Sequence, residues 1–248
     1  ASNQIRHILV LRILQSLTKE DEIILKDFQD LNEIEFWTQT KGYDTVKPLF
    51  ENTKDYVTYK NKEFNLEFLF NPTGFTQINP FINKILIRRV MALLEPKKSD
   101  LIFDFFSGIG NFTLPIATSG ANVLAVEGDK MLVDSGNNNA IKNNLSNNVR
   151  FKEADLFNIE KKELLLLGQA DKWLIDPPRL GALNLINLLD DQIEPKLIIY
   201  ISCNPATLAR DSDILVNKKN YSFKKGGIVN MFPHTSHVES IAVFERNE

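Results

Sequence analysis

Leu197-Ile198-Ile199-Tyr200-Ile201-Ser202-Cys203-Asn204-Pro205 is the stretch on which the fold turns. Its first five residues are apolar and rich in β-branched side chains, the texture of a strand buried on both faces of a parallel sheet. Asn204-Pro205 stops the run. Cys203 then falls at the strand's carboxyl end, where open α/β sheets hold their ligands. It is the only cysteine among 248 residues. The competing reading is a free thiol packed as a small hydrophobe, so the rest of the chain must decide between them.

Working outward, strands are expected at Leu101–Phe105, Val123–Glu127, Val149–Lys152 and Trp173–Asp176, ahead of Leu197–Ser202. Helical segments lie between them, the clearest at Met131–Asn144 and Ala206–Val216. Alternation of this kind predicts a parallel sheet covered on both faces by helices. The final pair, Phe223–Phe232 and Val238–Phe244, is separated by only five residues. That is too few for a parallel crossover, so the last strand should run antiparallel to its neighbour. Five parallel strands and a terminal hairpin resemble the layout of Rossmann-like methyltransferases. A helix opened by Asn79-Pro80 should precede the sheet.

Residues 1–74 read as a small α+β domain, with a strand over Ile5–Leu14 and a helix entered through a Thr18/Asp21 capping box. A half-buried strand follows, along Phe64, Leu66, Phe68 and Phe70. Asn71-Pro72-Thr73-Gly74 is turn chemistry, and residues 75–248 form the second expected domain. Net charge is −3, which argues against coating nucleic acid by bulk electrostatics but leaves room for a local patch. Lys84, Arg88, Arg89, Lys224 and Lys225 are candidates for phosphate contacts. The Ile8–Leu11 run is too short for a membrane span or secretory segment. A cytoplasmic monomer is expected.

Asp104-Phe105-Phe106-Ser107-Gly108-Ile109-Gly110-Asn111 follows the first parallel strand and opens a helix. Its glycines allow close backbone approach to a ligand, although Thr113 holds the third glycine's place of a dinucleotide fingerprint. Glu127 ends the second strand 23 residues past Asp104, near the spacing at which a carboxylate accepts from ribose hydroxyls. Asp155 ends the third strand, ready for an adenine amino group, and Asp176 ends the fourth. Four carboxylates along one sheet edge favour an adenosine-type cofactor. Cys203 ends the fifth strand on that edge. Glu239, where the hairpin returns, faces the same cleft if the tip folds over, and thiol with carboxylate is a workable nucleophile–base pairing. Two histidines in that tip, His234 and His237, are a poor metal site.

These residues carry a resemblance. Phe75-Thr76-Gln77-Ile78-Asn79, Asp104–Ala117, Asp176-Pro177-Pro178-Arg179, Ser202–Asp211 and Met231–Arg246 resemble, in order, the uracil-C5 RNA methyltransferases, most closely the branch acting on 23S ribosomal RNA. The resemblance implies a Rossmann-like class I methyltransferase fold and S-adenosylmethionine bound by Gln77, Phe106, Asn111, Glu127, Asp155 and Asp176. It implies Cys203 as nucleophile, Glu239 as general base, and a flipped uridine of 23S ribosomal RNA as substrate. Ser107 stands where many relatives have cysteine. That branch's N-terminal TRAM domain and iron–sulfur cysteines have no counterpart here, which implies a piece of a longer protein without cluster ligands. The transfer RNA branch is the nearest rival, and a non-catalytic module binding S-adenosylmethionine or RNA is the alternative from another class. An adenine amino-methyltransferase would place an aromatic residue where Arg179 stands. A nicotinamide dehydrogenase would need a fuller glycine fingerprint.

Overall fold

The structure is a computed structural model that describes residues 6–42, 45–50, 56–77, 79–235 and 237–247. The chain divides into two units, one of residues 1–61 with 67–76 and one of residues 62–66 with 77–248.

In the first unit, β1 (His7–Arg12) and β2 (Ile34–Gln39) pair in parallel through α1 (Lys19–Asn32), and β3 (Lys47–Pro48) runs antiparallel to β2. The Thr18/Asp21 capping box opens α1, each partner bonding the other's backbone N–H. No α1 side chain is buried, and Ile23, Ile24, Phe28 and Leu31 are exposed. β2 has no counterpart in the sequence reading, because Ile34-Glu35-Phe36-Trp37 alternates too irregularly for a period-2 signal. A two-stranded sheet of β4 (Val57–Asn61) and β5 (Leu66–Phe70) follows. Leu66, Phe68 and Phe70 point inward, as their spacing predicts, and Phe64 lies in the turn ahead of the strand.

The second unit is built on seven strands. These are β6 (Leu101–Phe105), β7 (Asn122–Glu127), β8 (Val149–Glu153), β9 (Lys172–Ile175), β10 (Leu197–Ser202), β11 (Tyr221–Val229) and β12 (Glu239–Arg246). Their order across the sheet is β11-β12-β10-β9-β6-β7-β8. β12 alone is antiparallel, and it inserts between β10 and β11. This is the class I S-adenosylmethionine-dependent methyltransferase fold. Its helices are α2 (Pro80–Leu94), α3 (Thr113–Ala117), α4 (Lys130–Lys142), α5 (Lys161–Leu165), α6 (Leu183–Leu188) and α7 (Pro205–Lys218).

Asn79, Asp129 and Asn204 cap α2, α4 and α7 through their side-chain oxygens, and proline follows the cap in α2 and α7. The core beneath the sheet gathers Phe103, Phe105, Trp173, Ile198, Tyr200 and Phe244. The Phe105 and Trp173 rings meet edge to face at 4.8 Å. Among the described residues no helix is long and apolar enough to cross a membrane.

Candidate active site

The site forms where β6 to β10 reach their carboxyl ends and β12 begins. In the β10–β12 register the last pair is Ser202 with Ser240, so the next residues outward are Cys203 and Glu239. Ile175 of β9 pairs with Tyr200 on the other side of β10, and Asp176 continues from it. The thiol strand is thus flanked by a carboxylate strand on each side.

Burial acts on all three groups. Glu239 is only 4% exposed, and burial pushes its carboxyl up to about 7. Asp176 is raised well above the ordinary carboxylate value, first by burial and then by the charges of Glu239 and Asp104. Burial likewise raises the Cys203 thiol, Glu239 and Asp176 add to the effect, and Arg179 opposes it. Cys203 keeps part of its surface accessible, unlike the buried Ile198–Ser202 run that leads into it.

Arg179 belongs to the turn after β9. Its guanidinium donates toward the His237 ring, 3.2 Å from Nδ1, and so bridges to the segment that leads into Glu239. The Asn204 side chain, next to Cys203, donates to the Arg179 carbonyl at 3.0 Å.

On the other side of β9 lies the glycine-containing loop. Phe106 adopts a left-handed backbone (φ 61°), a strained conformation for a bulky residue, and its ring lies 5.5 Å from that of Phe157. Gly108 (φ 54°) has open space where a Cβ would stand. Glu127 holds this loop: one carboxylate oxygen accepts from Gly108 N at 2.9 Å, the other from Gly128 N and Asp129 N. Asp155 is exposed, just past β8, and is held below its usual range by hydrogen bonds from Asn158 and the Phe157 backbone. It opens onto a cavity of about 360 Å³, shared with Lys152, Asn158 and Glu163.

Asn111 exchanges two amide hydrogen bonds with Asn83 of α2 (2.8 and 3.0 Å). Gln77 lies half-buried just before the α2 cap and makes no side-chain hydrogen bond to another described residue.

Asp104 differs from the expected rim of four carboxylates. It is fully buried inside β6, where one oxygen accepts from Thr113 Oγ1 at 2.5 Å. Burial first, and the charge of Glu127 as well, push it up to about 7. Its other oxygen and the buried Ser107 hydroxyl have no hydrogen-bond partner among the described residues. Two orphaned polar atoms, an open glycine and a carboxylate over backbone N–H groups suit a polar, adenosine-bearing cofactor.

A family model described as tRNA (uracil-5-)-methyltransferase matches residues 15–247. The chain belongs to that family. Among curated relatives, "23S rRNA (uracil(1939)-C(5))-methyltransferase RlmD" of Nitrosospira multiformis is 46% identical over 240 residues. That match takes in 96% of this chain and 55% of the relative. The protein of the same name from Dechloromonas aromatica is 51% identical over 237 residues, with the same coverage. The chain thus spans about half the length of the curated relatives it matches. Among solved structures, the Pyrococcus abyssi tRNA (uracil-54, C5)-methyltransferase in complex with S-adenosyl-L-homocysteine superposes with a TM-score of 0.69 at 27% identity. It covers 85% of this chain and 50% of that one. A Methanocaldococcus jannaschii tRNA m1G37 methyltransferase (TM-score 0.66, 12% identity, 99% of this chain and 74% of that one) shares the fold.

Two contacts at this site have no counterpart in the sequence analysis. Asn139, one of three consecutive asparagines in α4, is fully buried and donates to the Ile109 carbonyl, tying α4 to the glycine loop. Phe157 faces Phe106 from the loop after β8. A single asparagine among many gives no signal, whereas an exposed phenylalanine two residues past Asp155 is one that could have been weighed.

Proposed function

We propose that this chain transfers a methyl group from S-adenosylmethionine to C5 of a uridine in 23S ribosomal RNA, through a covalent bond between Cys203 and C6. The carrying observation is that Cys203 and Glu239 are the next residues beyond Ser202 and Ser240, the last pair of the antiparallel β10–β12 ladder. C5 of uracil is too weak a nucleophile unaided. The Cys203 thiolate adds to C6, forming the S–C6 bond while the C5=C6 electrons move onto the C4 carbonyl as an enolate. When bound, S-adenosylmethionine would supply the electrophilic methyl group, with a neutral thioether as leaving group, and C5 of the enolate is the atom placed to take it. Glu239 then takes the C5 proton, the C–H electrons restore C5=C6, and the S–C6 bond breaks to regenerate the thiolate. Base participation of this kind is worth roughly 10²–10⁴-fold.

Glu127 and Asp155 would hold the ribose hydroxyls and adenine amino group, with Phe106 against the ring. Gln77, Asn111 and Asp176 would hold the remainder. The target uridine must leave its stack at a cost of about a few kcal/mol, less in a loop than in a duplex. The relatives at 44–51% identity named for 23S RNA support the ribosomal substrate over transfer RNA.

The test offers unmodified 23S and transfer RNA with labelled S-adenosylmethionine and maps the product. Label at a uridine C5 of 23S RNA is expected, and exclusive transfer RNA labelling overturns the substrate. Cys203→Ala should abolish turnover while calorimetry still detects S-adenosylmethionine binding. Near-normal methylation by that variant removes the covalent mechanism.

A further inference from the structure

The run Asn204–Asp211 does more than begin α7. Asn204 Nδ2 donates to the Arg179 carbonyl at 3.0 Å, and the single Thr207 hydroxyl hydrogen is shared between that carbonyl (3.3 Å) and the Asn204 carbonyl (3.0 Å). Arg210 Nη2 donates to the Leu180 carbonyl at 2.9 Å. Asp211, fully buried, accepts at one oxygen from Ala182 N (2.9 Å) and the Tyr200 hydroxyl (2.6 Å), and at the other from Arg210 Nε (2.8 Å). Gly181, between the gripped residues, has φ 76°, and a Cβ there would stand 2.6 Å from Arg210 Nη2. The first turns of α7 therefore hold the main chain of Arg179, Leu180 and Ala182, in a segment whose Pro178, Arg179 and Leu180 are all exposed.

We propose that Arg210, acting with Thr207 and Asp211, is a positioning residue that fixes the main chain of the turn after β9, and through it the Arg179 guanidinium, on the Cys203 side of the cleft. The charges that act on the thiol come from three elements: Glu239 opens β12 next to the last β10–β12 pair, Asp176 follows β9 on the other side of β10, and the Arg179 main chain is bonded to Asn204, the residue after Cys203. Two are acids that oppose a thiolate. Arg179 is the cation among them, and its backbone is the part that α7 grips. An arginine on an unheld turn would spread its charge over solvent. Thr207, Arg210 and Asp211 touch neither the reacting atoms nor the cofactor residues assigned above, so their effect must pass through the turn.

The inference rests on the reading of Cys203 as nucleophile, but its test needs neither RNA nor S-adenosylmethionine. Because Cys203 is the only cysteine, alkylation by iodoacetamide reports on it alone. The rate is followed against pH for the whole chain, for Arg210→Gln, Arg210→Lys and Arg179→Gln, and for the Arg179→Gln/Arg210→Gln pair. Arg210→Gln should move the midpoint upward and slow alkylation at pH 7 roughly 3–10-fold, with the high-pH plateau kept. Arg210→Lys should recover part of the rate, and in the Arg179→Gln background Arg210→Gln should add nothing. An unmoved midpoint, a raised plateau, or equal slowing without Arg179 overturns the proposal. Should Arg210→Gln fail to fold, Thr207→Val removes the hydroxyl shared by the Arg179 and Asn204 carbonyls and carries the same cycle, with a roughly 2-fold effect in the same direction expected. Loss of methylation with the alkylation cycle intact would count against the proposed reaction and leave the positioning role standing.

Discussion

Glu239 is asked to do two things that burial sets against each other. It must be ionised to take a proton, yet its surroundings push it up to about 7. A base with that value is well matched to neutral pH, because it is half available and still holds the proton it accepts. Turnover should therefore climb with pH through about 7. Glu239→Gln should lose that limb and accumulate a protein–RNA adduct on a denaturing gel; lost turnover without adduct would make Glu239 a binding residue. Asp104 presents the stability counterpart. Its folded-state value, near 7, lies above the ordinary 3.8. Its contribution is thus complete below about 4 and fades as pH rises to 7, by a few kcal/mol. Asp104→Asn should raise the melting temperature at pH 8 and change it little at pH 4, and thermal denaturation at the two pH values decides it. Cys203 and Glu239 were legible because strand ends and a short hairpin connection locate them. Asp104 was misread as part of the rim, since spacing locates a residue along a strand but does not reveal a partner such as Thr113 that keeps it inside.

Among elements, the turn between β9 and α6 shows how a conspicuous motif can hide its use. Ser202–Asp211 was recognisable as a fingerprint from its residues alone, and Asn204-Pro205 announced the start of α7. What the run holds was not legible, because its partners are main-chain atoms of Arg179, Leu180 and Ala182, which carry no side-chain signature. Gly181 is the exception in principle, being the residue that permits φ 76° beside Arg210. Gly181→Ala should destabilise the protein by roughly 2–4 kcal/mol, from left-handed strain plus overpacking. Urea denaturation measures this, and a near-native midpoint would mean that the turn can shift away from α7. The terminal hairpin was anticipated as antiparallel, with boundaries displaced by a few residues. Its strands end at Val229 and resume at Glu239, because Asn230-Met231-Phe232-Pro233 turns away from the ladder where the sequence still reads as strand.

At the scale of the whole molecule, the balance of charge limits how RNA can be held. Net charge is −3, and two of the candidate cations are already engaged, Arg88 with Glu63 and Lys224 with Glu245. Binding of a 23S RNA fragment by this chain should release few counterions, with a slope of log K on log salt no steeper than about −3. Fluorescence anisotropy at several salt concentrations gives the slope, and a value beyond about −5 would reveal a basic surface that these groups do not supply. The broad architecture was the most legible part, since five apolar runs at regular spacing leave little alternative to a parallel sheet. The place of β12 between β10 and β11 has a consequence for synthesis. This strand follows both neighbours in chain order, so a ribosome delivers β10 and β11 with an empty slot between them. Until the residues from Glu239 onward emerge, the apolar edge of β10 stays unpaired, a surface that chaperones recognise. For that interval the nascent thiol has no Glu239 opposite it, and the pairing on which the chemistry rests is assembled last.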